Sequence, residues 1–166
     1  MINVAGDSQP HMLGWVDFER AVADLADQVR ADGAPEVVVG VLRGGMVPAV
    51  ALAHTLAIRA VRAVEVVHTA TDDTNATKYD RPQVFNPASL GNLAGLDVLV
   101  VDDVAGTGDT LKTAAALAID VGAARVRTSA WIVNTANWRL STAPEQALTY
   151  IAATVEGWVV FPWEKQ

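Results

Sequence analysis

Phe18, Val22, Leu25 and Val29 recur at intervals of four, three and four between Asp17, a candidate N-cap, and Asp32-Gly33, a candidate stop. That period predicts an amphipathic helix with one buried stripe. The pattern then changes. Glu36 to Val41 is a short β-branched run, Leu42-Arg43-Gly44-Gly45-Met46-Val47-Pro48 is rich in turn residues, and Ala49 to Ala57 is Ala/Leu-rich, with Pro48 placed where a first helical turn accepts it. This reads as strand, glycine loop, helix. Val61 to Val67 is a second strand candidate. A second strand, loop, helix unit follows, with Asp97 to Val101 as a continuous apolar strand and Asp102 to Asp109 as a turn. Its helix carries a stripe of Leu111, Ala114, Ala115, Ala118 and Val121 that stops at Gly122. Val126 to Val133 and Leu148 to Ala152 supply two further strands. Apolar runs that are continuous rather than alternating suit a parallel sheet covered on both faces. Thr69 to Leu96 is polar, with Asp72-Asp73 and Lys78-Tyr79-Asp80-Arg81-Pro82, and is too long for an ordinary connector; a mobile or functional loop is expected there. The aromatic tail Gly157 to Trp163 is too short to be another unit. With no internal repeat or linker, residues 1–166 read as one α/β domain with a central, mostly parallel sheet flanked by helices.

Composition narrows the partners. The 166 residues carry 19 acids against 12 bases, a net charge of −7, so a nucleic-acid backbone, which is gripped by clustered Lys and Arg, is not an expected partner. The absence of cysteine excludes disulfide scaffolds, cysteine nucleophiles and thiolate metal sites. Met1 to Pro10 has neither a basic nor an apolar region of the kind a signal peptide needs, and the apolar stretch Ala49 to Val67 is broken by His54, Arg59, Arg62 and Glu65. A soluble cytoplasmic protein without a membrane segment is expected. Small anionic ligands remain open.

The most informative stretch is Val98 to Leu111. A buried strand delivers Asp102 and Asp103 to the carboxyl edge of the sheet, where open α/β folds bind their ligands, and a Gly/Thr turn then opens a helix. The backbone N–H groups of Ala105, Gly106, Thr107, Gly108, Asp109 and Thr110, the two threonine hydroxyls and the helix dipole make an anion site suited to a phosphate monoester. The adjacent carboxylates could accept hydrogen bonds from sugar hydroxyls or hold a divalent cation. Asp-Asp and Thr-Gly are also ordinary turn chemistry, so context decides. A P-loop is excluded because Lys112 falls at the wrong spacing, and no Gly-x-Gly-x-x-Gly follows a strand. Upstream, Gly44 and Gly45 would let the backbone approach phosphate oxygens, and Arg43 adds a charge-assisted contact. His11, His54 and His68 lack metal-ligand spacing and read as structural. The serines Ser8, Ser89, Ser129 and Ser141 lack a nucleophile-elbow context.

Asp102-Asp103-Val104-Ala105-Gly106-Thr107-Gly108-Asp109-Thr110, behind its hydrophobic strand, resembles the 5-phosphoribosyl-1-pyrophosphate (PRPP) signature of the type I phosphoribosyltransferases. Val41 to Ala49 looks like that family's pyrophosphate loop, in which an often cis peptide precedes the Arg-Gly-Gly. Trp158-Val159-Val160-Phe161-Pro162-Trp163-Glu164 resembles the end of the xanthine-guanine members, where a Trp stacks on the purine and a Trp followed by an acid closes a short hood, here about residues 154–166. The resemblance spans Glu36 to Glu164. It implies a Mg2+-dependent transferase acting on PRPP and a heterocyclic base, in which Asp102 and Asp103 hold the ribose hydroxyls and Asp103 meets the PRPP-chelated metal. In the same way it implies that Ala105 to Thr110 hold the 5-phosphate and that Arg43, Gly44 and Gly45 hold pyrophosphate. Asn134, Trp158, Val159 and Glu164 would frame the base, and Lys78, with Tyr79 and Arg81, would belong to a catalytic lid over about residues 69–96. A homodimer or homotetramer is also implied.

Two positions depart from the pattern. Gly106 stands where the purine enzymes usually have an Asp that handles the proton on N7, and Asn134 stands where they have a Lys facing the purine 6-oxo group. General acid–base help of that kind is worth ~10²–10⁴-fold. The ribosyl-donor half is therefore expected to be intact and the acceptor half changed. A non-catalytic PRPP- or nucleotide-binding regulator of the same fold is the alternative.

Overall fold

The computed structural model describes residues 9–69 and 77–164. The first eight residues and positions 70–76 of the expected lid lie outside them. Helix α1 (Trp15–Ala31) follows a two-residue strand β1 (His11–Met12). Val22, Leu25 and Val29 of the expected stripe are buried. The helix begins earlier than the sequence suggested. Its N-cap is Gly14, and Asp17 sits one turn in, where its Oδ2 accepts the Gly14 N–H at 2.8 Å. The extra turn brings Trp15 within 5.8 Å of Phe18 and 6.1 Å of Trp163, ring to ring, an aromatic contact that no local signal announces.

Strand β2 (Val37–Leu42) leads into helix α2 (Met46–Thr55), and β3 (Val61–Thr69) pairs with β4 (Lys78–Val84). A short 3₁₀ turn (Pro87–Leu90) then precedes β5 (Asp97–Ala105), helix α3 (Asp109–Asp120), β6 (Arg125–Asn134), the one-turn helix α4 (Pro144–Ala147), β7 (Tyr150–Val155) and β8 (Val159–Val160). The main sheet runs β4-β3-β2-β5-β6-β7 and is parallel except for β4. β8 pairs with β1, parallel, in a second sheet of two strands.

Three expectations are corrected. The polar segment from residue 69 to 96 is not one loop: its second part forms β4, antiparallel to β3, and anchors Leu90 and Leu93 fully in the core. The period-3 placement of those two leucines among polar residues hid them from a pattern search. The Asp102-Asp103 pair is not in a turn, because β5 continues through Ala105 by pairing with β6. The last strand of the main sheet is displaced to Tyr150–Val155, since Pro144 starts α4 instead.

The apolar strands are covered on both faces, as their continuous hydrophobicity requires. Val38, Leu99 and Val101 pack with α1 and α2, whereas Val37, Val39, Val98 and Val100 pack with Leu111, Ala114 and Ala118 of α3. A third cluster joins Trp131 and Ile132 to Val159, Phe161 and Trp163, and Val104 packs against it. The C-terminal segment is thus fastened over the carboxyl end of β5.

Candidate active site

β5 ends with Asp102-Asp103-Val104-Ala105, and only Gly106, Thr107 and Gly108 separate it from α3. Gly108 has φ 89°, and a Cβ there would fall 2.8 Å from both Leu140 Cδ1 and Trp138 Cη2; backbone and packing alike require glycine. The first-turn amides of α3 have no intrahelical acceptor, and the positive end of the helix dipole faces the turn. The Thr107 hydroxyl, buried at 5% exposure, accepts the Asp109 N–H at 3.3 Å. The turn thus presents first-turn amides and a threonine hydroxyl of the kind that can cradle an anion.

The Arg43-Gly44-Gly45 loop closes the site from the α2 side, and the Leu42–Arg43 peptide is cis. A Cβ added to Gly44 would overlap Asp103 Oδ2. One added to Gly45 would lie 2.6 Å from the Val41 carbonyl oxygen, 2.7 Å from that of Val101 and 2.9 Å from Asp102 Cα. The two glycines therefore serve a close approach: the loop backbone rests directly on the paired acids.

Asp102 is held away from water and Asp103 is half-buried. Asp102 is 7% exposed, and burial, reinforced by the neighbouring Asp103 charge, lifts its carboxyl well above the usual range. Burial also raises Asp103 to about 6, against the lowering effect of the Val104 N–H that its Oδ1 accepts at 2.7 Å, and the Glu164 carboxylate pushes it up further. Asp102 Oδ1 accepts the Asp103 N–H at 3.0 Å. Glu164 is itself fixed, its Oε2 accepting the Phe161 N–H at 2.7 Å. Hard oxygen donors with raised pKa values fit a divalent cation. Among the described residues no three His, Cys, Asp or Glu side chains cluster to hold one unaided, so the rest of its shell would come from water or from the oxygens of a ligand.

Across the β5–β6 ladder Ala105 stands opposite Val133, which places Gly106 and Asn134, the two departures, one step beyond the same pair. A Cβ at Gly106 would meet nothing within 4 Å. Asn134, 7% exposed, donates its amide Nδ2 to the Gly157 carbonyl at 2.7 Å, while its Oδ1 accepts the Gly157 N–H at 3.3 Å and the Ala136 N–H at 3.2 Å. Trp158 is 42% exposed and Val159 is buried in β8. Trp163 stacks on Phe161 at 5.0 Å and 3° and belongs to the aromatic cluster. Of the expected lid residues, Lys78 opens β4, and Arg81 lines a groove with Asp109 and Lys112 of α3.

Sequence reasoning missed one side chain. His68 Nδ1 lies 3.4 Å from the Thr107 hydroxyl, which joins the strand before the lid to the anion cradle. The signal was the two-residue strand period: Val64 and Val66 are buried, and His68 is the next position of that face.

The phosphoribosyl transferase domain model matches residues 12–164. The chain belongs to the phosphoribosyltransferase family. It is 27% identical over 165 residues to a xanthine-guanine phosphoribosyltransferase of Roseobacter denitrificans, covering 93% of this chain and 88% of that one. Among solved structures it is similar to a purine phosphoribosyltransferase from Pyrococcus horikoshii, with TM-score 0.75, 29% identity and 95% of each chain covered. The xanthine-guanine-hypoxanthine phosphoribosyltransferase of Helicobacter pylori shares the fold, with TM-score 0.74, 21% identity and 94% of each chain covered. The family's fold, a parallel sheet flanked by helices, is the one described above. No helix among the described residues is long and apolar enough to cross a membrane.

Proposed function

We propose that the protein transfers the 5-phosphoribosyl group of PRPP to a ring nitrogen of a purine or purine-like base, releasing pyrophosphate. The observation that carries this reading is the seating of Gly44 and Gly45 directly on Asp103 and Asp102, which joins the two anion-binding loops around one pair of acids. In this reading Ala105, Gly106, Thr107, Gly108, Asp109 and Thr110 hold the 5-phosphate, and Arg43, Gly44 and Gly45 hold the pyrophosphate. Asp102 and Asp103 accept hydrogen bonds from the ribose hydroxyls. As the base nitrogen bonds to the anomeric carbon, the bond from that carbon to the pyrophosphate oxygen breaks, and the proton on the base leaves to solvent or a nearby acceptor. Positive charge develops on the ribose, and the carboxylates beneath it stabilise that charge in a water-poor site.

Asp103 would help to hold a Mg2+ ion, which when bound would supply charge neutralisation for the leaving pyrophosphate. Lys78, at the start of β4, belongs to the lid that shields the reaction from water. Trp158 offers a flat platform for the ring, with Val159, Glu164 and Asn134 around its edge. The exposed Met12, Trp15 and Val16 support a homodimer or homotetramer, which sedimentation would reveal. The reading places the protein in the cytoplasm, where PRPP and free bases occur together.

The test is pyrophosphate release from PRPP and Mg2+ across a panel of purines, pyrimidines and other nitrogen heterocycles. Release dependent on one base establishes the transferase and its acceptor class. The empty space beside Gly106 and the engaged amide of Asn134 favour a second reading, a non-catalytic PRPP or nucleotide sensor; PRPP binding without release by any base would favour it.

A further inference from the structure

The bend that carries Trp158 is fastened to two distant parts of the chain. Glu156, Gly157 and Trp158 form the bend between β7 and β8, with Gly157 at φ 116°. Two distant parts of the chain hold it. From beneath, the Asn134 amide makes a reciprocal pair with the Gly157 carbonyl and N–H and also accepts the Ala136 N–H. From above, the strand before α1 lies along β8: the His11 N–H donates to the Trp158 carbonyl at 2.7 Å, Leu13 N–H donates to the Val160 carbonyl at 2.9 Å, and His11 Nε2 lies 2.8 Å from the Glu156 carbonyl. Every residue of the bend is thus tied by at least one hydrogen bond to a segment outside it. The exposed indole of Trp158 is carried on this doubly clamped backbone.

We infer that Asn134 is a positioning residue that acts through Gly157, together with the strand around His11, to set the Trp158 platform for the acceptor base. This rests on the base-transfer reading above and assigns Asn134 a role other than reading the base edge with a charge. One N–H of the amide pairs with Gly157, so a lysine in its place could not reproduce the clamp: an ammonium donates but cannot accept the Gly157 and Ala136 N–H groups. The Gly157 N–H of the bend and the Ala136 N–H would then lose the one oxygen they share, and the bend would loosen. The acceptor half has exchanged a charged contact for a rigid, neutral seat, which suits a flat heterocycle bound by stacking more than by pairing with one exocyclic oxygen.

The experiment combines amide hydrogen exchange of the free protein with steady-state kinetics using PRPP and guanine, xanthine, hypoxanthine or adenine. Asn134→Ala is expected to speed exchange across residues 156–160 by about tenfold, the change that corresponds to losing a net hydrogen bond or two. It is expected to raise KM for the responsive base by a similar factor and to leave KM for PRPP within about twofold, a split that general destabilisation would not produce. His11→Ala, which removes one clamp on the exposed side, is expected to shift both readouts the same way by a smaller factor. It serves as the test if Asn134→Ala does not fold. Unchanged exchange in the bend overturns the inference, as does a rise in base KM without faster exchange, since that would make Asn134 a direct base contact. If the wild-type protein releases no pyrophosphate with any base, the function reading fails separately and the exchange result alone decides the clamp.

Discussion

The two ends of the central sheet handle buried charge in opposite ways. At the amino edge Arg127, 2% exposed, donates Nε and Nη2 to the two Asp97 oxygens at 3.1 and 2.9 Å and Nη1 to the Gly33 carbonyl and the Tyr150 hydroxyl, which in turn donates to Asp32. Burial pulls the guanidinium pKa down, but the bonds to Tyr150 and Asp97 outweigh it and leave Arg127 above its ordinary value. Charge there is matched. At the carboxyl edge, two adjacent acids, Asp102 buried and Asp103 half-buried, both rise in pKa through desolvation, Asp102 further through the Asp103 charge and Asp103 further through Glu164. The amino edge holds α1, β5, β6 and β7 together; the carboxyl edge is destabilised in the free protein and stands ready for a positively charged or hydrogen-bonding partner. The difference teaches that the amino edge matches its buried charge while the carboxyl edge leaves its acids opposed by their surroundings, the kind of environment that clusters at functional sites.

The comparison breaks first at Arg127. Arg127→Met should lower stability by roughly 3–5 kcal/mol in urea unfolding, because Asp97 loses its bidentate partner and Tyr150 and Gly33 lose theirs, while kcat/KM per folded molecule changes little. A cost below about 1 kcal/mol would show that the network is not holding the edge. Asp103→Asn should do the reverse, lowering kcat/KM for PRPP by ~10²-fold or more with no loss of stability; unchanged kinetics would remove Asp103 from the site.

The pH dependence sharpens the same contrast. Asp103 rises from an ordinary 3.8 to about 6 on folding, so between those values the native state holds more protons than the unfolded chain, and stability falls as pH rises through about 6. The free wild-type protein should therefore gain about 1 kcal/mol relative to Asp103→Asn on going from pH 7.5 to pH 5, read from paired urea titrations. A difference of opposite sign would mean that Asp103 is stabilised as a carboxylate. A small effect should come from Tyr150→Phe, which removes two hydroxyl hydrogen bonds and costs about 1 kcal/mol without altering turnover. Within the site, Gly106→Asp should be tolerated, since its Cβ meets nothing, whereas Gly45→Ala should unfold or inactivate the protein against rigid backbone. Equal behaviour of the two would contradict the packing described.

Much of the fold was legible because buried parallel strands write themselves as continuous apolar runs. Val37 to Val41 and Val98 to Val101 read as buried strands, and the Gly-rich turns after them stand where the sequence put them, each leading into a helix. What was not legible depended on distant partners. Asp17 looked like a cap because nothing local says that Trp15 will find Trp163. β4 looked like loop because, among the described residues, its strand partner is β3, and the engagement of Asn134 with Gly157 was hidden because it spans 23 residues.

By itself, then, the sequence determined the α/β class from local period, and the two glycine turns and the paired acids from turn chemistry and spacing, while the departures at Gly106 and Asn134 rest on the resemblance to the family. Only the tertiary structure decided that Gly44 presses on Asp103, that burial and Glu164 lift its pKa, that His68 reaches Thr107, and that the first strand and Asn134 jointly clamp the Trp158 bend. Those facts depend on which surfaces meet and how much water they exclude, and neither quantity is written in any one stretch of the chain.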